Sequence, residues 1–348
     1  MITFTNWSVL SVSFLFVLFI ALASVALWAV IYLANGDWYK DIRHLLKPLF
    51  FLFPFALVLL IILLIGGEYT FPWLKHDPEH GPHLNVWHNY TFLVARQILG
   101  LLFAMGLCWL FIKRQEVMDR SKEDAEKFHR VANCIPWLYF LYGSLVAFDF
   151  EMTLLPMWHS ALFCAYFFIS NFNMFLSFLV IWIYVLNKQG VLVTPVPHFV
   201  YNYLSQMMLG FTVLWMYTHF SQFLIIWYGN LPDERNRIEA MQTGDFSVLW
   251  YMMVAFKWFI PLFSLLMRKT RHTPELVISV AAVIITGTLI ERFIWRAGVN
   301  FSGENMLTGI QSHGSVPYLE ALIGLPIIAA IGFFIVRGVM RRYQLLKA

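Results

Sequence analysis

Nine apolar segments, each about 20 to 30 residues long, dominate this sequence. An α-helix rises 1.5 Å per residue, so about 20 apolar residues cross the hydrocarbon core of a bilayer. Backbone groups in lipid must be hydrogen-bonded within their own segment, so each segment is expected to be a helix. The approximate bounds are 7–34, 47–66, 89–112, 132–154, 158–186, 199–228, 246–267, 275–297 and 316–339. The sequence therefore predicts an all-α polytopic membrane protein with about nine transmembrane helices.

Composition agrees with this class and argues against a soluble domain. Only 13% of the 348 residues are charged, compared with about 25% in typical soluble domains. No connection between the apolar segments is long enough to fold alone. The first ten residues carry no basic stretch, so the first segment is interpreted as a retained helix rather than a signal peptide.

The distribution of Lys and Arg predicts the orientation. Of the 24 basic residues, 17 lie in the odd-numbered connections and the C-terminal tail, and 4 lie in the even-numbered connections. Cytoplasmic loops carry the excess of Lys and Arg in membrane proteins. We therefore expect the N-terminus outside, the C-terminus in the cytoplasm, residues 67–88 outside and the charged stretch 113–130 inside.

Ionisable and polar side chains inside the segments concentrate near the outer face. Such groups are costly in lipid and tend to mark function, so their depth is informative. His88 opens the third segment at the outer face, and Arg96 lies about 12 Å deeper. Lys257 lies near mid-membrane, and the inner half holds almost no ionisable group. The candidate residues for a quinol-binding cavity or a proton path are His88, Arg96, Asp149, Glu151, His219, Gln222, Lys257, Glu291 and Arg292.

The cations in this list have acidic residues as candidate partners. The cations are Arg96, Lys257 and Arg292, and the acids are Asp149, Glu151 and Glu291. Lys257, Glu291 and Arg292 are expected to form one linked group, because a lone ammonium at mid-membrane costs roughly 2.5–3.5 kcal/mol. Two roles stay open for such pairs: they hold helices together, or they take part in proton transfer. His88 and Glu151, near the membrane surface, also suit a place among lipid headgroups.

The stretch THFSQFLIIWYGNLPDE, residues 218–234, places polar side chains at the outer end of the sixth segment. His219 and Gln222 are three residues apart and share a helix face, which we expect to turn toward a polar cavity. Pro232 disfavours helical geometry at Leu231, so the helix should end there. The two side chains suit a quinol headgroup, a proton path or hydrogen bonds between helices.

Several cofactors are not expected in this chain itself. Only His219 is convincingly intramembrane, so paired haem ligands are missing, and three scattered cysteines cannot supply the four thiolates of an iron–sulfur cluster. The outer loop HDPEHGPH, residues 76–83, does not follow a zinc-ligand spacing, so no metal is expected. A diffusible quinol suits the outer polar cluster, because His and carboxylates accept the protons that quinol oxidation releases.

The stretch at 218–234 resembles the signature of the NrfD-like family, the membrane subunits of polysulfide reductase-type enzymes. The sequence is most like the second such subunit of alternative complex III, a bacterial quinol:cytochrome c oxidoreductase. Three further stretches resemble that subunit: NGDWYKDIRHLLKPLFFLFPFALV, HLNVWHNYTFLVARQ and LLMRKTRHTPELVISVAAVIITGTLIERFIW. The resemblance covers nearly the whole chain. Family members usually have ten helices, and the first of them has no counterpart here.

The resemblance implies a domain organisation and a set of partners. Residues 1–156 and 157–297 would each form a four-helix bundle, and residues 298–348 the last helix with a basic cytoplasmic tail. The chain would lie in the bacterial inner membrane beside a periplasmic iron–sulfur subunit, c-type cytochrome subunits and a homologous membrane subunit. Iron–sulfur clusters and c-type haems would belong to those partners. Quinol, such as menaquinol, is oxidised near the outer face in this family, chiefly in the other homologous subunit, and this chain would contribute anchoring, a proton path or a quinol cavity.

Two rival functions are a subunit with a purely structural role and a secondary transporter. A transporter would favour inverted repeats with paired helix breaks at mid-membrane. Pro54, Pro261 and Pro326 lie inside predicted helices but do not form such a pair.

Overall fold

The computed structural model describes residues 4–75, 84, 86–156, 158–243, 246–297 and 318–347. These residues are almost entirely helical and contain no β-strand. The α-helices are α1 Phe4–Leu33, α2 Tyr39–Leu49, α3 Phe53–Ile65, α4 Gly67–Thr70, α5 Tyr90–Val117, α6 Lys122–Phe150, α7 Phe163–Lys188, α8 Phe199–Gly229, α9 Pro232–Thr243, α10 Ser247–Val254, α11 Ile260–Leu266, α12 Arg268–His272, α13 Pro274–Ala297 and α14 Tyr318–Arg342.

Nine helical segments of the described residues are long and apolar enough to cross a bilayer. Six spans are single helices, namely α1, α5, α7, α8, α13 and α14, and α6 with the short 3-10 turn after it makes the fourth span. The other two spans are interrupted. This confirms the prediction of an all-α polytopic membrane protein. We call the end of the bundle that carries Thr70 and His88 the outer end, and its periplasmic location stays a prediction.

The second and seventh spans contain irregular turns. In the second, a 3-10 turn at Phe50–Leu52 follows Pro48 and joins α2 to α3. In the seventh, a π-helical turn at Ala255–Phe259 joins α10 to α11. The two interruptions occupy different positions in the two predicted bundles, so they do not form the matched pair expected of a repeat transporter.

The third and fourth spans extend further than the apolar pattern predicts. Helix α5 continues to Val117, and α6 begins at Lys122, inside the charged stretch. Ser121 caps α6, since its side chain accepts a hydrogen bond from the backbone N–H of Asp124. Charged side chains on these turns therefore stand on helices that project beyond the membrane.

The sixth span ends where its sequence predicts. Helix α8 stops at Gly229, and Asn230 has a left-handed backbone with φ of 48°. Asparagine tolerates this conformation better than most residues with a side chain. Pro232 then starts α9, a position that suits proline because the first helical N–H needs no partner.

Helix α1 lies at the centre of the molecule. It is the most buried span and packs against α2, α3 and α6 as well as α7, α13 and α14. Helices α7, α8, α10 and α13 pack on one another in the second half. The boundaries of the two predicted bundles stay a prediction, since α1 contacts helices of both. The ninth span, α14, is the least buried and has a largely exposed surface that suits lipid.

Candidate functional site: buried ionic networks near the outer end

A chain of four buried charges connects the second half of the molecule to the end of α6. Lys257 Nζ lies 2.5 Å from Glu291 Oε2, and Arg292 Nη1 lies 2.6 Å from Glu151 Oε2. Arg292 Nη2 also lies 3.3 Å from Glu291 Oε1, which joins the two pairs. All four side chains have no exposed surface. We call these four residues the Lys257 network, and they include the linked group that the sequence predicts.

Neutral groups complete the surroundings of Glu291. Trp215 Nε1 donates a hydrogen bond of 2.8 Å to Glu291 Oε1, and Ser170 Oγ donates to Oε2. Lys257 Nζ donates to Ser170 Oγ at 2.6 Å. Ionised groups remain in an apolar interior only when their partners replace the lost water, and Glu291 has such partners on both oxygens.

The π-helical turn explains how Lys257 reaches this position. Such turns insert one extra residue into a helix and often occur at functional sites. Gly287 on α13 permits the close approach, since a Cβ atom there would lie 2.7 Å from Lys257 Cγ and 2.9 Å from Phe256 Cβ. A glycine on one helix and a π turn on the other therefore bring the ammonium to Glu291.

The Lys257 network joins the two halves of the chain at the outer end. Glu151 follows α6, whereas Arg292 is on α13, and their ion pair links residues 141 positions apart. Glu151 Oε1 and Arg292 Nε have no hydrogen-bond partner among the described residues. Buried polar atoms without a protein partner are where proteins commonly hold ordered water.

Two further arginines, which the sequence analysis counted only among the even-numbered connections, also lie in this region. Arg237 and Arg296 are both fully buried. Arg237 donates to the backbone oxygens of Glu151, Met152 and Trp295 at 2.8 to 3.1 Å. Its guanidinium also lies 4.6 Å from the ring centre of Trp158, a cation–π contact.

Arg296 fixes the same region from α13. It donates to the backbone oxygens of Phe150 and Thr70, which lie in the first half of the chain. Arg296 is four residues after Arg292, so both lie on one face of the helix. That spacing was the signal in the sequence that could have placed Arg296 with the site, whereas Arg237 gave no comparable signal.

A second ionic cluster lies in the first half of the chain. Arg96 binds Asp149 through two nitrogens, at 2.5 and 2.8 Å, and donates to the backbone oxygen of Trp87. Gln97 and the indole of Trp87 also donate to the Asp149 carboxylate. We call these four residues the Arg96 cluster. Every oxygen of Asp149 is satisfied, which is the pattern of a structural pair that holds α5 against α6.

His88 lies at the edge of the Arg96 cluster. Its Nε2 is 3.3 Å from the backbone oxygen of Thr153, and its ring meets Trp73 edge-on at 5.3 Å. Burial is the largest cause that lowers the pKa of His88 below its usual value, and the nearby positive charge of Arg96 lowers it further. The neutral imidazole is therefore favoured at pH 7.

His219 and Gln222 contact different neighbours. The His219 ring stacks on Trp215 at 4.9 Å and also meets Tyr166 and Trp250. Because Trp215 binds Glu291, His219 lies one side chain away from the Lys257 network.

Gln222 lines a separate cavity of about 370 Å³ at the outer end, which we call the outer cavity. Its walls also include His159, Ser160 and Glu234. Gln222 is 4% exposed, and neither of its amide atoms has a hydrogen-bond partner among the described residues. A cavity therefore lies beside Gln222 at the outer end, with apolar side chains among its walls, while His219 belongs to the aromatic layer next to it.

The described residues contain no group of His, Cys, Asp and Glu side chains that could hold a metal ion. The His-rich loop at 76–83 lies outside them. The Lys257 network can support acid–base chemistry. It contains two buried carboxylates and one ammonium, and arginine side chains fix their geometry.

Comparisons with known proteins leave the family open. No protein-family model matches the chain, and a search of curated proteins found no match. The site is therefore interpreted from its own geometry.

Proposed function

We propose that this chain is a membrane subunit of a quinol oxidoreductase complex, in which the Lys257 network moves protons released at the outer end. The observation that carries the proposal is the continuity of four fully buried charges from the π turn of the seventh span to the end of α6. Buried ionisable groups in membrane proteins are costly, and they frequently form proton relays. The sequence resemblance to NrfD-like subunits supports the choice of a quinol oxidoreductase complex.

Each residue has a distinct part in this proposal. Arginine keeps its proton in proteins, so Arg292 fixes the two carboxylates and does not itself exchange protons. Glu151, Glu291 and Lys257 are then the exchanging groups, and in this proposal water carries the proton past Arg292 from one carboxylate to the other. Glu151 Oε1 provides the outer terminus, because it has no hydrogen-bond partner among the described residues.

Quinol oxidation releases two protons and two electrons. In this proposal the electrons pass to iron–sulfur clusters and haems of partner subunits, and no redox group is expected in this chain itself. Its contribution is membrane anchoring and the proton path.

The test is quinol oxidation by the purified complex together with proton release from vesicles. Glu151→Gln and Lys257→Met should slow both while the complex still assembles. Lys127→Met is the control, since Lys127 pairs with Glu123 on the surface at the opposite end. Unchanged turnover and unchanged proton release in both site variants would contradict the proposal.

A second candidate function is purely structural. The bonds from Arg237 and Arg296 to backbone oxygens on distant segments favour it, because backbone acceptors cannot exchange protons. The variant Lys257→Met with Glu291→Met separates the two functions. If the network is only structural, the double variant should still oxidise quinol. If the network is a proton path, the double variant should not.

A further inference from the structure

A second cavity, distinct from the outer one, lies behind the last helix. Its volume is about 500 Å³, and five spans form its walls. They contribute Ile20 of α1, Leu52 of the second span, Trp182 of α7, Leu289 of α13, and Leu325 and Val336 of α14. We call it the α14 cavity.

The α14 cavity is long and lies at hydrocarbon depth. It extends along α14 from Leu325 to Val336, about 16 Å at the helical rise of 1.5 Å per residue. That length is roughly half of the 30 Å core of a bilayer. The cavity thus has the length of a hydrocarbon chain from one leaflet.

The walls are almost entirely apolar. Ser13 is the one side chain with a hydroxyl among the lining residues, and its Oγ already donates to the backbone oxygen of Val9 at 2.8 Å. Apolar cavities of this kind exclude water and accept apolar molecules. The indole N–H of Trp182 is one donor in the walls without a partner among the described residues. It cannot serve both carbonyl oxygens of a quinone headgroup, so an alkyl chain fits the cavity better.

One end of the cavity adjoins positive charge. Leu49 and Val336 line it, and the neighbouring residues Lys47 and Arg337 point to the basic end of the molecule. Lys47 Nζ lies 2.6 Å from Glu116, whereas Arg337 is exposed. Guanidinium groups bind phosphate strongly, and basic residues at a membrane surface attract anionic lipids.

We propose that the α14 cavity binds one acyl chain of an anionic phospholipid, whose phosphate lies beside Arg337. The chain fills the space between α14 and the rest of the molecule, and the headgroup lies outside the cavity at the basic end. This site is separate from the Lys257 network and goes beyond the proposed function. A bound lipid would replace the helix contacts that the weakly buried α14 lacks.

Two glycines on α14 provide a matched pair for the test. A Cβ at Gly332 would lie 3.5 Å from Leu52 Cδ2, an ordinary contact, so a leucine side chain there extends into the cavity. A Cβ at Gly338 meets nothing within 4 Å, so the same leucine there faces lipid.

The experiment is native mass spectrometry of the purified full chain, with identification of the bound lipid. The unaltered chain and Gly338→Leu should each retain one phospholipid, and Gly332→Leu should lose it. Ala329→Leu, at a lining position on the same helix face as Gly332, provides a second variant if Gly332→Leu does not fold. Arg337→Gln should keep a phospholipid but lose the preference for anionic headgroups. Equal lipid retention by the cavity-filling variants, or an isoprenoid quinone as the bound molecule, would overturn the proposal.

Discussion

Lys257 and Glu291 form an ion pair whose two members depend on each other unequally. Their charged atoms are 2.5 Å apart, and both side chains are fully buried. Glu291 has a second cation, Arg292, at 3.3 Å and accepts a hydrogen bond from Trp215. Within the described residues, Lys257 has no other ionic partner. This asymmetry determines which half of the pair the fold needs more.

Glu291→Gln should destabilise the protein more than Lys257→Met. Removing one member of a buried pair leaves a charge without compensation and costs about 3–5 kcal/mol. Glu291→Gln leaves Lys257 in that state, whereas Lys257→Met leaves Glu291 with Arg292. Thermal unfolding of the purified protein in detergent measures the difference.

The exposed pair Lys127 and Glu123 provides the control for this comparison. Surface pairs contribute about 0–1 kcal/mol, so Lys127→Met and Glu123→Gln should both change the unfolding temperature little. Equal decreases in unfolding temperature for Glu291→Gln and Lys257→Met would show that Arg292 does not compensate the charge of Glu291.

Gly287→Ala should disturb the same pair from the opposite helix. The new Cβ would lie 2.7 Å from Lys257 Cγ and 2.9 Å from Phe256 Cβ, so α13 or the π turn must move. Alanine usually stabilises a helix by about 0.5–1 kcal/mol relative to glycine, and here we expect the opposite sign. Gly210→Ala is the control, since a Cβ there meets nothing within 4 Å. An increase in unfolding temperature for both variants would contradict the close packing.

Arg237→Lys should destabilise nearly as much as Arg237→Gln. The planar guanidinium reaches three backbone oxygens at once, and an ammonium cannot reproduce that geometry. Arg235→Lys on the same helix is the matched control, because Arg235 is exposed. Unfolding temperature is the measurement, and full rescue by lysine would show that charge alone is needed at Arg237.

The membrane orientation can be tested with single cysteines in a chain whose three native cysteines have been replaced. The Lys and Arg distribution predicts that Glu79→Cys is labelled from outside intact cells and that Glu123→Cys is not. Glu79 lies outside the described residues, and Glu123 is exposed on α6. The reverse labelling pattern would invert the membrane orientation and place the Lys257 network at the cytoplasmic face.

The spans follow from the sequence because apolar length alone determines which segments can cross a bilayer. The acid–base pairs were predictable in part, because an isolated charge in lipid has a high free-energy cost and therefore needs a partner. The burial of Arg237 could not be predicted in this way. Its acceptors are backbone oxygens that any residue supplies, so no sequence pattern indicates them.

The π turn is a second feature that the apolar pattern does not contain. Its effect is to change the direction of Lys257 relative to a regular helix, and it depends on the close approach of Gly287 on another span. Both arise from tertiary packing. The need of Lys257 for a partner was therefore predictable, whereas the orientation of its side chain was not.

Gln222→Met should separate function from stability at the outer cavity. Neither amide atom of Gln222 has a hydrogen-bond partner among the described residues, so its burial costs about 1–3 kcal/mol that methionine avoids. We expect an equal or higher unfolding temperature and slower quinol oxidation by the complex. Asn173→Leu is the control, because that buried amide donates to Thr212 Oγ1 at 3.1 Å and its loss should lower stability. Unchanged turnover in Gln222→Met would leave the outer cavity without a part in the reaction.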